Sequence, residues 1–186
     1  MINYGKQSIN QDDIDAVIEV LESDFLTQGP KVEEFENDLR SYCGSKHARV
    51  VTNATSALHL AYVAIGLKKD DIVWTSPNTF VSTANAALYC GAKVEFVDID
   101  PKTYNISIEA LKAKLKIAEA VGQLPKLIVP VHFAGQSCEM KEIWNLSKVY
   151  GFKVIEDASH ALGAEYKEKK VGSRKKYSSK YCRKSR

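Results

Sequence analysis

An α/β fold built on a mostly parallel sheet is what this sequence predicts, and three features predict it. Short apolar runs rich in β-branched residues, such as Asp71–Thr75 and Lys126–Val131, alternate with segments of helical periodicity. Glycines stand where those helices should stop, at Gly66, Gly91 and Gly151. Each apolar run also opens into a polar or aromatic loop, at residues 52–56, 76–80, 132–136 and 157–160. Strands alternating with helices imply βαβ units with right-handed crossovers.

In chain order, Gln11–Ser23 carries Ile14, Val17, Ile18 and Leu21 at helical spacing, with Asn10 or Asp12 placed to cap it, and predicts an amphipathic helix packed on the body. The turn-rich Phe25–Pro30 leads into a second helix through Val32, Phe35 and Leu39, closed near Gly44. Ala48–Val51 predicts a short strand, and the buried helix after it runs from Ala57 through Val63. A second unit repeats the plan with Asp71–Thr75 as strand and Val81–Cys90 as helix. Val94–Val97 is the next strand, and Ser107 caps a helix whose apolar stripe is Ile108, Leu111 and Leu115. Lys126–Val131, helix Glu139–Tyr150 and strand Phe152–Glu156 complete the pattern.

Composition bounds the functional classes. With 186 residues and 45% hydrophobic content the chain supports one domain with a real core. No apolar run approaches a membrane span and Met1–Asn10 lacks a leader pattern, so a cytoplasmic protein is expected. Cys43, Cys90, Cys138 and Cys182 are scattered, which predicts reduced thiols and neither a zinc site nor a disulfide framework. The net charge of +3 conceals an asymmetry: residues 174–186 hold seven of the 26 Lys and Arg and none of the 23 Asp and Glu, so residues 1–173 are net −4. A nucleic-acid partner would rest on those thirteen residues alone and is not expected.

The chemistry concentrates at the strand ends. In open α/β sheets, ligands collect beyond the carboxyl ends of the strands. Lys153–Ala164, KVIEDASHALGA, delivers Asp157 to that edge, where it is a candidate site acid or a helix cap. Thr55 and Ser56 open a helix, where they serve as caps or as part of an anion site. Phe80 is an aromatic among polar residues, either a core anchor or a stacking platform. Anion-cradling amides, a planar ring and a carboxylate together suit a flat, phosphorylated heteroaromatic with a basic ring nitrogen, which describes pyridoxal 5'-phosphate. A nicotinamide site is disfavoured, since no strand runs into GxGxxG.

The chain also resembles the DegT/DnrJ/StrS family of nucleotide-sugar aminotransferases. The resemblance rests on YGKQSI (Tyr4–Ile9), FLTQGPKVEEFE (Phe25–Glu36), TNATSALHLA (Thr52–Ala61) and SPNTFVSTANAALYCGAKVEFVDID (Ser76–Asp100), then on PVHFAGQSCEM (Pro130–Met140) and VIEDASHALGAEY (Val154–Tyr166). It implies the large domain of the fold type I pyridoxal-phosphate transferases, a mostly parallel sheet with helices on both faces, here incomplete at its C-terminal end. Three parts are expected: a substrate-side N-terminal segment (1–30), a partial cofactor-binding domain (31–173) and a basic tail (174–186). By resemblance, Asp157 pairs with the pyridine nitrogen, Phe80 stacks on the ring, Thr55 and Ser56 hold the phosphate, and His160 sits near the ring hydroxyl. Tyr4 and Leu26, Thr27, Gln28 and Gly29, together with Ser56, would approach the sugar nucleotide. Such enzymes pass an amino group from glutamate to a keto sugar and are typically homodimers. LTQGP and EDASHALGA are most similar to members acting on a UDP-linked 4-keto-6-deoxy-N-acetylhexosamine in the pseudaminic acid pathway.

The sequence departs from the family after Ser173. Relatives continue into a strand and a Ser-Phe-His-x-x-Lys segment whose lysine holds the cofactor and moves protons. Here RKKYSSKYCRKSR follows, and the family register would place that lysine just beyond Arg186. Lys175, Lys176, Lys180 and Lys184 lack the flanking residues and are expected to be solvated. The expectation is a frame-shifted or artefactual end on a truncated aminotransferase, with no catalytic lysine; the alternative is a non-catalytic, cofactor-binding remnant.

Overall fold

The computed structural model describes residues 7–173. Four strands, β1 (Ile72–Thr75), β2 (Lys93–Phe96), β3 (Leu127–Val129) and β4 (Lys153–Val154), form a sheet in the order β2-β1-β3-β4. Every pairing is parallel, with Val73 opposite both Val94 and Leu127, and Ile128 opposite Val154. Parallel neighbours need a crossover. Here α4 (Ser82–Tyr89), α5 (Ile108–Ala120) and α6 (Met140–Tyr150) supply the three crossovers. Before them come α1 (Gln11–Leu21), α2 (Pro30–Cys43) and α3 (Ala54–Ala64).

Strand periodicity explains the two-sided core. Side chains alternate faces along a strand. Val73, Leu127, Val129 and Ile155 accordingly pack with Leu58, Ala61 and Tyr62 of α3 and Ala86 and Ala87 of α4. Trp74, Ile128 and Val154 point the other way, onto Leu111 and Leu115 of α5 and Met140 and Ile143 of α6. The expected helix caps at Asn10 and Ser107 are present, as are left-handed stops at Gly44 and Gly151.

Two expectations need correction. Ala48–Val51 forms no strand: the Val50 N–H donates to Glu36 Oε1 at 2.9 Å and Arg49 pairs with the same carboxylate, so a side chain takes the amide that a ladder would use. Helix α1 is capped by a reciprocal Asn10–Asp13 box yet buries no residue, leaving Val17 58% and Leu21 64% exposed. Along its apolar stripe, Ile14 and Ile18 are 45% and 44% exposed, so the helix is not seated on the body as the sequence predicts. A hairpin that the sequence reading missed, β5 (Glu165–Tyr166) with β6 (Lys169–Lys170), turns through Lys167 and Glu168 at φ of 50° and 61°. Neither residue signals such a turn. No described helix is long and apolar enough to cross a membrane.

One ion pair fastens the start of β3 to the start of β1. Lys126 Nζ lies 2.6 Å from Asp71 Oδ2, which also accepts the Lys68 N–H at 2.8 Å. Partial burial opposes ionisation of Asp71, but Lys126 and the Lys68 amide outweigh it and hold the carboxyl below its ordinary value. A carboxyl depressed in the folded state contributes stability that is present above the unfolded value of about 4 and lost as pH falls through the folded one. Asp71→Asn is therefore expected to cost about 1 kcal/mol at neutral pH. The cost should shrink towards zero in strong acid, as read by urea titrations across the acid range.

Candidate cofactor site at the strand ends

Because all four strands run the same way, their C-terminal ends open on one edge. Pairing continues past β4: the Asp157 N–H donates to Pro130 O at 2.9 Å and the His132 N–H donates to Asp157 O at 3.0 Å. This bridge between residues 131 and 157 fixes the backbone that carries the acid.

Asp157 is 5% exposed. Its Oδ1 accepts from the Ser159 hydroxyl at 2.6 Å and the Ser159 N–H at 3.2 Å, and its Oδ2 accepts from the Thr83 hydroxyl at 2.7 Å. A carboxylate only accepts, so Thr83 is the donor, and Thr79 must donate to Thr83 Oγ1 at 2.8 Å. Oδ2 keeps one acceptor site. Asp157 has no Lys, Arg or His ion-pair partner among the described residues.

Phe80 lies one turn ahead of Thr83, whose N–H donates to Phe80 O at 3.1 Å. At 69% exposure its ring is not a core anchor, which removes that alternative. The 76–80 loop meets residue 104 through the Asn78 amide on Tyr104 O, and Asn105 in turn holds the 132–136 loop. Asn105 Oδ1 accepts the Phe133 N–H and its Nδ2 donates to Gln136 O, both at 3.0 Å. Gly135 has φ +88° and a Cβ there would stand 3.0 Å from His160 O. Only glycine lets the 132–136 loop lie so close to residues 157–160. The His160 side chain is exposed on that edge.

Thr55 and Ser56 occupy the first turn of α3. Asn53 Oδ1 accepts the Ser56 N–H at 2.8 Å, so capping claims that amide. The Ala54 and Thr55 amides lie in the same turn, ahead of the capped one, where the helix dipole favours an anion. The Tyr62 hydroxyl on Thr83 O, at 3.0 Å, ties α3 to α4 and hence to Asp157.

Beneath the edge lies a buried pair that the sequence reading passed over. His132 Nε2 is 3.0 Å from Glu156 Oε2, with exposures of 1% and 4%. The Cys138 N–H donates to His132 Nδ1 at 3.2 Å, which places the ring proton on Nε2, donating to Glu156. Burial, with the Glu156 carboxylate nearby, pushes the Cys138 thiol well above the ordinary range. Thr79 and Thr83 were also missed, although two threonines one turn apart at a helix start are a readable signal.

Residues 26–29, expected to approach the sugar nucleotide, form a separate group. Gln28 (φ +53°) and Gly29 line an open cleft of about 610 Å³ with Glu36, Arg40 and Arg49, and Leu26 and Thr27 are exposed. No hydrogen bond between described residues joins this segment to the Asp157 loops. Tyr4, residues 174–186, their lysines and the proposed frameshift lie outside the described residues.

A carboxylate held by hydroxyls at the edge of a parallel sheet, beside an exposed aromatic, invites comparison with known proteins. The DegT/DnrJ/EryC1/StrS aminotransferase family model matches residues 7–180. The chain belongs to this family. Among its DegT-family relatives, the UDP-4-amino-4,6-dideoxy-N-acetyl-beta-L-altrosamine transaminase of Campylobacter jejuni (strain 81-176) is 54% identical over 93% of the chain and 45% of that protein. The spore coat polysaccharide biosynthesis protein SpsC of Bacillus subtilis is 43% identical over 91% of the chain and 42% of that protein. Among solved structures, Helicobacter pylori PseC, an aminotransferase involved in pseudoaminic acid biosynthesis, superposes with a TM-score of 0.82 at 36% identity over 91% of the chain and 44% of that protein. The chain thus spans less than half the length of these relatives. The fold is the α/β architecture of DegT-family aminotransferases, as the sequence reading expected.

Proposed function

We propose that this chain is the cofactor-binding part of a pyridoxal-phosphate-dependent aminotransferase acting on a UDP-linked 4-keto-6-deoxy sugar, with glutamate as amino donor. The observation that carries this reading is Asp157, a buried carboxylate with three hydroxyl or amide donors, a spare acceptor site and no cationic partner among the described residues. Burying such a charge is costly without a counter-charge. A protonated ring nitrogen supplies one, so the residues present fit the group.

When bound, pyridoxal phosphate supplies an electron sink for carbanion chemistry. Asp157 would hold the proton on the ring nitrogen, Phe80 would cover a ring face and His160 would stand by the ring hydroxyl. The first turn of α3, with Thr55 and Ser56, would bind the phosphate at the positive end of the helix dipole. Tyr4, Leu26, Thr27, Gln28, Gly29 and Ser56 would face the sugar nucleotide. The same reading takes 31–173 as part of the cofactor-binding domain, 1–30 as the substrate-side segment, 174–186 as a basic tail whose first residues, to 180, still fall within the family match, and the protein as a cytoplasmic homodimer.

Titrating the full chain with pyridoxamine 5'-phosphate and following its fluorescence tests the binding half; the absence of saturable binding would refute it. Adding glutamate, pyridoxal phosphate and the UDP-keto sugar then separates the two readings kept open by the sequence. Amino-sugar formation marks the transferase, and binding without transfer marks a cofactor-binding remnant. Phe80→Ala is expected to weaken pyridoxamine phosphate binding roughly five- to tenfold, the worth of one aromatic stack. Its 69% exposure implies a stability change within about 0.5 kcal/mol.

A further inference from the structure

Thr83 is wholly buried, at 0% exposure, and the proposed cofactor contacts make no use of it. A threonine hydroxyl in a helix can bond back to the carbonyl three or four residues earlier. That of Thr83 instead donates across 74 positions of sequence to Asp157 Oδ2, at 2.7 Å. The residue is held on every other polar atom as well. Its N–H donates to Phe80 O at 3.1 Å, its carbonyl accepts the Tyr62 hydroxyl at 3.0 Å, and its hydroxyl oxygen accepts from Thr79 at 2.8 Å. With its own acceptor site filled by Thr79, the Thr83 hydroxyl has a single direction in which to give its proton.

We infer that Thr83 is a positioning residue for the cofactor's ring nitrogen, acting through Asp157; this rests on the cofactor reading given above. Ser159 secures Oδ1 and Thr83 secures Oδ2, so the carboxylate cannot rotate about its Cβ–Cγ bond without breaking a bond at each oxygen. Oδ2 is left with one acceptor site in a set orientation. The same hydroxyl joins the turn that carries Phe80 to the strand end that carries Asp157, so the ring-covering group and the ring-nitrogen partner are held in one frame. A hydroxyl that only filled space would be replaceable by a methyl group; a positioning hydroxyl is not.

The test uses the full chain with pyridoxamine 5'-phosphate labelled with ¹⁵N in the ring, read by affinity and by the ¹⁵N resonance, which reports ring-nitrogen protonation. Thr83→Val keeps the shape and loses the hydroxyl, Thr83→Ser keeps the hydroxyl, and Thr83→Ala loses both. Ser is expected to match the parent, with Val and Ala binding about tenfold more weakly and the resonance moving towards the unprotonated position. Val matching the parent in both readouts would overturn the inference. If Val does not fold, Ala decides: Ala equal to Ser overturns the inference, and Ala impaired with a shifted resonance supports it. Asp157→Asn separates the two levels. If it leaves affinity and resonance unchanged, or if the parent chain does not bind the probe, the cofactor reading fails and the role of Thr83 falls with it. If Asp157→Asn shifts both and Thr83→Val shifts neither, the cofactor reading survives and only the role of Thr83 is refuted.

Discussion

His132→Ala is expected to destabilise the fold by about 3–5 kcal/mol, the cost of leaving a buried carboxylate without its hydrogen-bond donor together with that of the cavity left by the ring. Glu156 is 4% exposed, its Oε1 has no hydrogen-bond partner among the described residues, and Oε2 receives its bond from His132. Removing the imidazole leaves the carboxylate unpaired, opens a cavity and deprives the Cys138 N–H of its acceptor. Urea denaturation at neutral pH measures the loss. Pairing His132→Ala with Glu156→Leu should recover a good part of it, because an apolar replacement of both partners leaves no stranded charge. A single-mutant loss below about 1 kcal/mol would show that Glu156 finds another partner and that the pair does not brace the strand ends.

Asp157→Asn is expected to act in the opposite way, on ligand binding rather than on folding. One hydrogen bond to a charged group contributes about 1.5–3 kcal/mol. Pyridoxamine phosphate should therefore bind roughly ten- to hundredfold more weakly. The amide keeps the shape, and its oxygen still accepts from one of the two hydroxyls now on Asp157. With no ion pair to break, the stability loss should stay near 1 kcal/mol. Fluorescence titration and urea denaturation on the same preparation separate the two effects. Unaltered affinity would remove Asp157 from the cofactor site.

Adjacent residues thus carry opposite expectations, and the physical difference lies in their partners. Glu156 and Asp157 were both legible as carboxylates at a strand end, because an apolar run that stops in acids has that meaning in an open α/β sheet. Which of them faces His132 and which faces Thr83 was not legible. Those partners come from residues 24 and 74 positions away, and local sequence has no term for such contacts. Phe80 shows the same limit from the other side: its residue type allowed burial or stacking, and the loop path out of β1 decided for exposure.

The sequence by itself determined the order and type of the elements from β1 through β4, the caps at Asn10 and Ser107, the glycine stops and the family. All but the family rest on short-range physics: side-chain period, capping chemistry and the backbone freedom of glycine; the family rests on the ordered motifs between Tyr4 and Tyr166. Only the tertiary structure decided that the amide of Val50 goes to Glu36 rather than to a strand, and that α1 keeps its apolar stripe exposed. It alone set Thr83 against Asp157 and His132 against Glu156, since hydrogen bonds across the sheet edge exist only once four parallel strands bring their ends together.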